Sequence, residues 1–437
     1  MQTDKHVKWL YSELPELIKH GVLTPEVAEM LQSHYSAPNQ KTGRPVGFII
    51  GSILGAVLIG LGIILLLANN WPELSRPIRT AIIFSLLLCA QGLAGWAFWY
   101  KLQSLAWREG TAAFLVIAVG AAIALISQTY HLPGDLGNFL LIWMLLILPL
   151  MYLMNVSLPA ALYLAGTLWW LGYGIEQERY LLSFWLLAAA CLPYLLRLYK
   201  ENVYSKRLLL IKWFLAFWIV FALLLHWIAF EMKGAWMLNF GSLFTFMYLV
   251  ENLWYKGSPG IWRRPFKVVG ALGISILSFA FTFSQVWPDK GLWELLFNNA
   301  LRPDLIIPFY LLSWGLPLAS LILLVIYLNR RDSEKILPGI FPLIIAVGLI
   351  GSRETFIPII ISNLYYFMLA ASLIITGLRQ YRLSVINLGM LMLGILITAR
   401  FFDSNIPFVF RAIVFITLGF GFLSVNLWFH RDRRRAA

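Results

Sequence analysis

Polar and aromatic side chains collect where the long apolar runs of this sequence end. The first run ends in Asn70 and Trp71, and the third in Gln128, Tyr130 and His131, with Asp135 just beyond. A later run ends in Arg353 and Glu354, the next-to-last in Arg400 and Asp403, and Arg411 stands one or two turns inside the last. An arginine inside an apolar span costs about 2.5–3.5 kcal/mol on insertion scales and normally faces a partner or water. Asp403 is within reach as that partner. A guanidinium fork also suits a carboxylate or diphosphate, which it can hold through two parallel hydrogen bonds. His131 beside Asp135 has the composition of a proton-transfer pair, because an imidazole titrates near neutrality. Together these residues read as the lining of an outward-facing polar site. Each also has a plainer role. Trp71 and Tyr130 fit an interfacial aromatic belt, Asn70 and Gln128 fit helix-end carbonyls, Asp135 fits a helix cap, and Arg353 with Glu354 fits a solvated pair.

Complete catalytic signatures are absent from the sequence. There is no phosphate-binding glycine loop with its lysine, no His-Glu-x-x-His pair and no Gly-x-Ser-x-Gly elbow. Cys89 and Cys191 fall inside apolar runs, where buried free thiols are expected and a metal site is not. No metal and no cofactor is expected. Gly51, Gly55, Gly60 and Gly62 are spaced for close helix packing rather than for phosphates.

The elements that must position these residues follow from composition. The chain has 437 residues, of which 13% are charged and 60% hydrophobic, so lipid must replace water as its solvent. Apolar runs of helix-spanning length are placed at 46–68, 78–100, 111–127, 138–154, 158–175, 181–198, 208–230, 235–250, 268–286, 305–328, 336–351, 356–378, 383–400 and 407–429. Stretches such as 61–68 and 321–328 are apolar on every side, which excludes the alternating pattern of a barrel. The expected fold is all-α, a polytopic transmembrane bundle of about fourteen spans.

Charge sets the expected orientation. With the N-terminus inside, 24 of the 34 Lys and Arg fall on cytoplasmic segments, eight on outer segments, and two, Lys212 and Arg411, within spans. That asymmetry is the positive-inside pattern, and it places both termini in the cytoplasm. The basic excess lies in short clusters at helix ends, suited to anionic lipid headgroups rather than nucleic acid. Residues 1–45 lack the early apolar core of a secretory signal, so the first span is expected to act as an uncleaved insertion signal.

Within residues 1–45, positions 4–35 read as a helical hairpin. Trp9, Leu10, Leu14, Leu17 and Ile18 form one stripe, Gly21 ends it, Thr24 and Pro25 restart the helix, and Val27, Met30 and Leu31 face the first stripe. So small a unit should dock on the membrane domain, the bilayer or a protein partner. The remaining domains are expected at 46–200, 201–382 and 383–437. The first two are parallel six-helix repeats, and the last holds two helices and a basic tail. Ordered matches carry the repeat: Ser127 and Gln128 before Tyr130 pair with Ser284 and Gln285 before Trp287, and Leu148, Pro149, Leu150 pair with Leu316, Pro317, Leu318.

The hairpin ending in Gly21, Val22, Leu23, Thr24, the first span closing on Ala68, Asn69, Asn70, Trp71, and the stretch Gln128, Tyr130, His131, Gly134, Asp135 resemble a bacterial membrane protein family, domain of unknown function 2157. The resemblance covers roughly the first 200 residues. It implies a prokaryotic cytoplasmic-membrane protein and brings no catalytic residues with it. The sequence favours a transporter or flippase for an anionic or lipid-linked substrate. The alternatives are a membrane-embedded transferase acting on a lipid-linked substrate at the outer face, and a scaffold or sensor working through the hairpin.

Overall fold

The computed structural model describes residues 13–18, 20–34, 71–177, 181–229, 235–254, 260–288, 303–330, 333–351 and 356–403, together with 413, 416, 419–421 and 423–424. They form two compact units, one within residues 1–81 and one within 82–437. The expected spans 46–68 and, for the most part, 407–429 lie outside the described residues.

In the first unit, residues 13–18 are helical and the following turn closes at Gly21, whose φ of 71° is the left-handed conformation glycine adopts without a Cβ penalty. The Val22 N–H donates to the Leu17 carbonyl at 3.0 Å. Helix α1 (Pro25–His34) then starts with proline in its first turn, where the missing N–H costs nothing. Leu14 and Ala28 are buried, whereas Val27 and Met30, expected to face the first stripe, are exposed. The small Ala28 side chain allows a closer approach of two short helices than valine or methionine would. A 3₁₀ turn at Trp71–Glu73 leads into α2 (Arg76–Tyr100), and Arg79 Nε donates to the Leu74 carbonyl at 2.9 Å.

The second unit continues α2 and adds α3 (Leu105–Tyr130), α4 (Leu136–Leu153), α5 (Leu158–Glu176), α6 (Leu181–Ala189), α7 (Leu192–Glu201), α8 (Lys206–Ala229) and α9 (Ala235–Trp254). Then follow α10 (Pro265–Ala280), α11 (Pro303–Asn329), α12 (Ser333–Gly339), α13 (Phe341–Ile350), α14 (Phe356–Arg379) and α15 (Leu383–Asp403). Among the described residues six helices, α2, α3, α4, α8, α14 and α15 as far as Arg400, are long and apolar enough to cross a membrane. Protein buries only 22% to 39% of the most apolar stretch of each, so lipid must cover most of what remains. The apolar helices α10, α13 and residues 313–329 of α11 are shorter. The chain is a multi-pass, membrane-embedded helical protein.

Prolines break two of the expected spans. The run 181–198 is two helices parted at Ala190 and Cys191, because Pro193 has no N–H for the preceding turn and its ring opposes continuation. The run 336–351 is likewise two helices, with Pro338 near the end of α12 and Pro342 at the start of α13. α10 ends at Ala280, and a 3₁₀ turn at Ser284–Val286 follows it. Cys191 is buried, but Cys89 lies on an exposed face of α2 rather than inside the protein.

Two cores organise the second unit. One gathers Val116, Met144, Leu164, Phe184, Tyr194 and Trp218 from α3 to α8. The other gathers Met237, Ile274, Phe341, Tyr365 and Leu396 from α9, α10 and α13 to α15. α8 also packs Ala216 and Leu223 against Leu243 and Met247 of α9 and Phe266 of α10, which joins the two cores through this helix. α9 and α10 cross at backbone distance: a Cβ on Gly270 would sit 2.5 Å from the Phe244 carbonyl oxygen and 2.6 Å from the Tyr248 nitrogen. In lipid, where tails are as apolar as side chains, such close small-residue packing is a main source of helix association.

Candidate functional site

The residues singled out in the sequence occupy three settings where they are described. At the end of α3, Gln128, Tyr130 and His131 are exposed. His131 adopts φ 53° and its N–H donates to the Ser127 carbonyl, which ends the helix in a left-handed cap. Asp135 begins α4: its Oδ1 accepts the Asn138 N–H at 2.7 Å, so the carboxylate satisfies an orphan donor of its own helix. Both residues therefore shape the α3–α4 corner. Trp71 lies half-buried in the first unit.

Arg400 stands in the last turn of α15. Its Nη2 donates to the Thr282 carbonyl at 2.6 Å and to Thr282 Oγ1 at 2.8 Å, and its guanidinium lies 4.8 Å from the Phe283 ring centroid. Asn363 Nδ2 from α14 donates to the same carbonyl at 3.4 Å. Arg400 thus ties α15 to the chain just past the C-terminal end of α10, where a cation also complements the helix dipole. Asn70, Arg353, Glu354 and Arg411 lie outside the described residues, and Asp403 is described only by its backbone, as the last residue of α15.

Two charged clusters outside the expected site are buried or half-buried. In the first, the Glu109 carboxylate accepts from Ser157 N at 2.7 Å, Ser157 Oγ at 2.6 Å and Leu158 N at 2.8 Å, capping α5 from the first turns of α3. Arg207 lies 3.8 Å from Glu109 and donates to Asn155 Oδ1 at 2.9 Å and Tyr194 Oη at 3.0 Å. Arg108 donates to the Met154 carbonyl at 2.8 Å. Asn155, at φ 48°, turns the chain between α4 and α5. Five helix ends, of α3, α4, α5, α7 and α8, meet in this cluster. Glu109→Ala should lower stability by about 1.5–3 kcal/mol, the range for hydrogen bonds to charged groups, and Glu109→Gln by less, measured by thermal unfolding in detergent.

The second cluster is drier. Lys212 of α8 forms an ion pair with Glu251 of α9, with side-chain exposures of 7% and 0%. The second carboxylate oxygen of Glu251 accepts the Phe266 N–H at 2.7 Å and lies 3.4 Å from the Lys267 nitrogen, at the start of α10. Lys212 Nζ also lies 5.8 Å from the Phe266 ring centroid. One carboxylate therefore neutralises a lysine and caps a helix whose N-terminal dipole favours negative charge. Lys212 sits about 9 Å along α8 from its first residue, at 1.5 Å per residue. An anion that displaced Glu251 from Lys212 would leave the carboxylate still held by α10, so the pair can exchange partners without stranding both charges.

Toward their other ends the same three helices enclose an apolar groove of about 400 Å³, lined by Leu224 and Trp227 of α8, Trp236, Phe240 and Phe244 of α9, and Gly273, Ile276 and Leu277 of α10. Trp227 and Trp236 meet with ring centroids 6.2 Å apart. Residues 15–160 match the family described as predicted membrane protein (DUF2157). No curated protein and no solved structure matches the chain. The DUF2157 segment holds the hairpin from residue 15 onward, the α3–α4 corner and Glu109 with Ser157, and it stops short of Arg207, the Lys212–Glu251 pair and the groove. The sequence resemblance, read over roughly 200 residues, thus holds over 15–160.

The only signal for the buried pair was Lys212 itself, a cation inside an apolar run. Its partner is 39 residues away in a run whose end the sequence places at the membrane boundary.

Proposed function

We propose that the chain is a transporter or flippase of a prokaryotic cytoplasmic membrane, moving an anionic or lipid-linked substrate. The buried Lys212–Glu251 pair carries this reading. A buried ion pair gives weak net stability compared with apolar packing of the same volume, and ionisable groups inside membrane helices mark substrate or ion paths. The pair ties α8 to α9 and α10, so exchanging Glu251 for a substrate anion on Lys212 would release the first turns of α8 from the other two. The repeat of residues 46–200 in 201–382 belongs to the same reading, with about fourteen spans in all. So does the outward polar site expected at the ends of the apolar runs, in which Arg411 receives the anion.

The test is reconstitution of the full chain in vesicles containing fluorescently labelled phosphatidylglycerol. Dithionite added outside bleaches only the outer leaflet unless lipid crosses. Bleaching of the inner pool in the presence of the protein, at a rate above protein-free vesicles, is the expected result. A rate no higher than in protein-free vesicles, both with this probe and with a labelled polyisoprenyl phosphate, would end the reading.

Orientation is tested separately. A reporter active only outside the cytoplasm should work when fused near Gly134 or Lys290 and fail near Gly257 or Ser333. Activity at Ser333 would reverse the second half.

A further inference from the structure

We infer that the groove between α8, α9 and α10 holds one acyl chain of a membrane phospholipid. Its lining is made of aliphatic and aromatic carbon with the Trp227 and Trp236 indoles at one end, so it offers water almost nothing to hydrogen-bond. Its volume of about 400 Å³ falls within the range of small-molecule sites.

The groove is built by the packing around it. Gly270 and Gly273 bring α10 against α9 at Phe244 and Tyr248, and a Cβ on Gly273 would overlap the Phe244 ring at 2.2 Å. That crossing forms one end. The Trp227–Trp236 contact, continued by Trp236 against Phe281 at 6.1 Å, forms the other. Between Trp236 and Phe244 the groove runs about 12 Å along α9, at 1.5 Å per residue. With both ends closed, entry is from the side, where Ile276 is 65% exposed beside Leu272 at 55%.

The flanking surface says what enters. α8, one of the helices apolar enough to span, shows Phe217, Phe221 and Ile228 on its exposed face. The opening therefore continues an exposed apolar face of a helix long and apolar enough to span, and a bilayer supplies hydrocarbon to such a face as lipid chains. Paired indoles at the rim suit the level where chain meets headgroup. The role of this site, holding the tail of a moving lipid, rests on the transport reading; its existence does not.

Photo-crosslinking tests it. The full chain is reconstituted with phosphatidylglycerol carrying a diazirine on one acyl chain, irradiated, and mapped by mass spectrometry. Adducts should concentrate on Leu224, Phe240, Ile276 and Leu277 severalfold above Leu388 and Leu391, exposed positions on α15. Leu224→Trp should fill the groove and remove that excess, and Leu277→Trp should do so from the opposite wall if the first variant does not fold. Labelling no denser than at Leu388, or unchanged in a folded filling variant, would overturn the site. Dense labelling without lipid crossing would keep the site and reject transport, and crossing without labelling would do the reverse.

Discussion

A chain carrying Glu251→Ala should unfold at markedly lower temperature or denaturant concentration than the wild type, with a loss of about 3–5 kcal/mol, the range for removing one partner of a buried ion pair. Lys212, whose side chain is 7% exposed, would lose the Glu251 carboxylate. The Phe266 N–H, which donates to Glu251 at 2.7 Å, would lose its acceptor at the start of α10. Glu251→Gln keeps an oxygen for that N–H and should lose less. Lys212→Met leaves a carboxylate still held by α10 and should also lose less than Glu251→Ala. The double variant Lys212→Met, Glu251→Gln should recover most of the loss, since the pair is then replaced by neutral groups of similar volume. Thermal unfolding in one detergent decides the order. Equal losses for all four variants would contradict the pairing.

Gly270→Leu should separate α9 from α10. The Cβ alone would stand 2.5 Å from the Phe244 carbonyl oxygen and 2.6 Å from the Tyr248 nitrogen, and both are main-chain atoms of a helix that cannot turn aside. Overpacking a core typically costs about 1–3 kcal/mol where side chains can yield. Here no side chain is available to yield, so Gly270→Ala should reach the upper end of that range and Gly270→Leu exceed it. Gly315 has open space where a Cβ would be, and Gly315→Ala should be neutral or nearly so. Thermal unfolding of the three variants checks this. A Gly270→Leu protein as stable as wild type would remove the close crossing, and with it the floor of the groove.

Much of the helical architecture was legible because hydropathy in lipid reports directly on the need to satisfy the backbone inside the helix. Asp135 was legible as a cap because an aspartate after Pro133 and Gly134 offers an oxygen to a nearby N–H, a local relation. The breaks at Cys191 and Ile340 were not, since an apolar run looks continuous whether or not Pro193, Pro338 and Pro342 interrupt its hydrogen bonds. Hydrophobicity points to Val27 and Met30 for the hairpin's inner face, whereas the buried position there is the small Ala28.

The charged clusters were the least legible part. Glu109 reaches Ser157 across 48 residues, and Lys212 reaches Glu251 across 39. Helical periodicity carries no information about which distant helix will supply a partner. Arg400 shows the converse. Its type and position suited an anion site, yet its Nη2 is engaged by Thr282, 118 residues away in sequence. In a membrane protein an arginine near a helix end can serve packing as readily as binding, because unsatisfied carbonyls there need donors as much as any ligand does.

Whether the buried pair works or merely holds is decided by comparing lipid crossing, in the same vesicles, between the wild type and Lys212→Met, Glu251→Gln. The double variant should remain folded, so its crossing rate reports on the charges themselves. The account predicts crossing by the wild type and a rate at the protein-free level for the double variant. A folded double variant that moves labelled phosphatidylglycerol as fast as the wild type would contradict it.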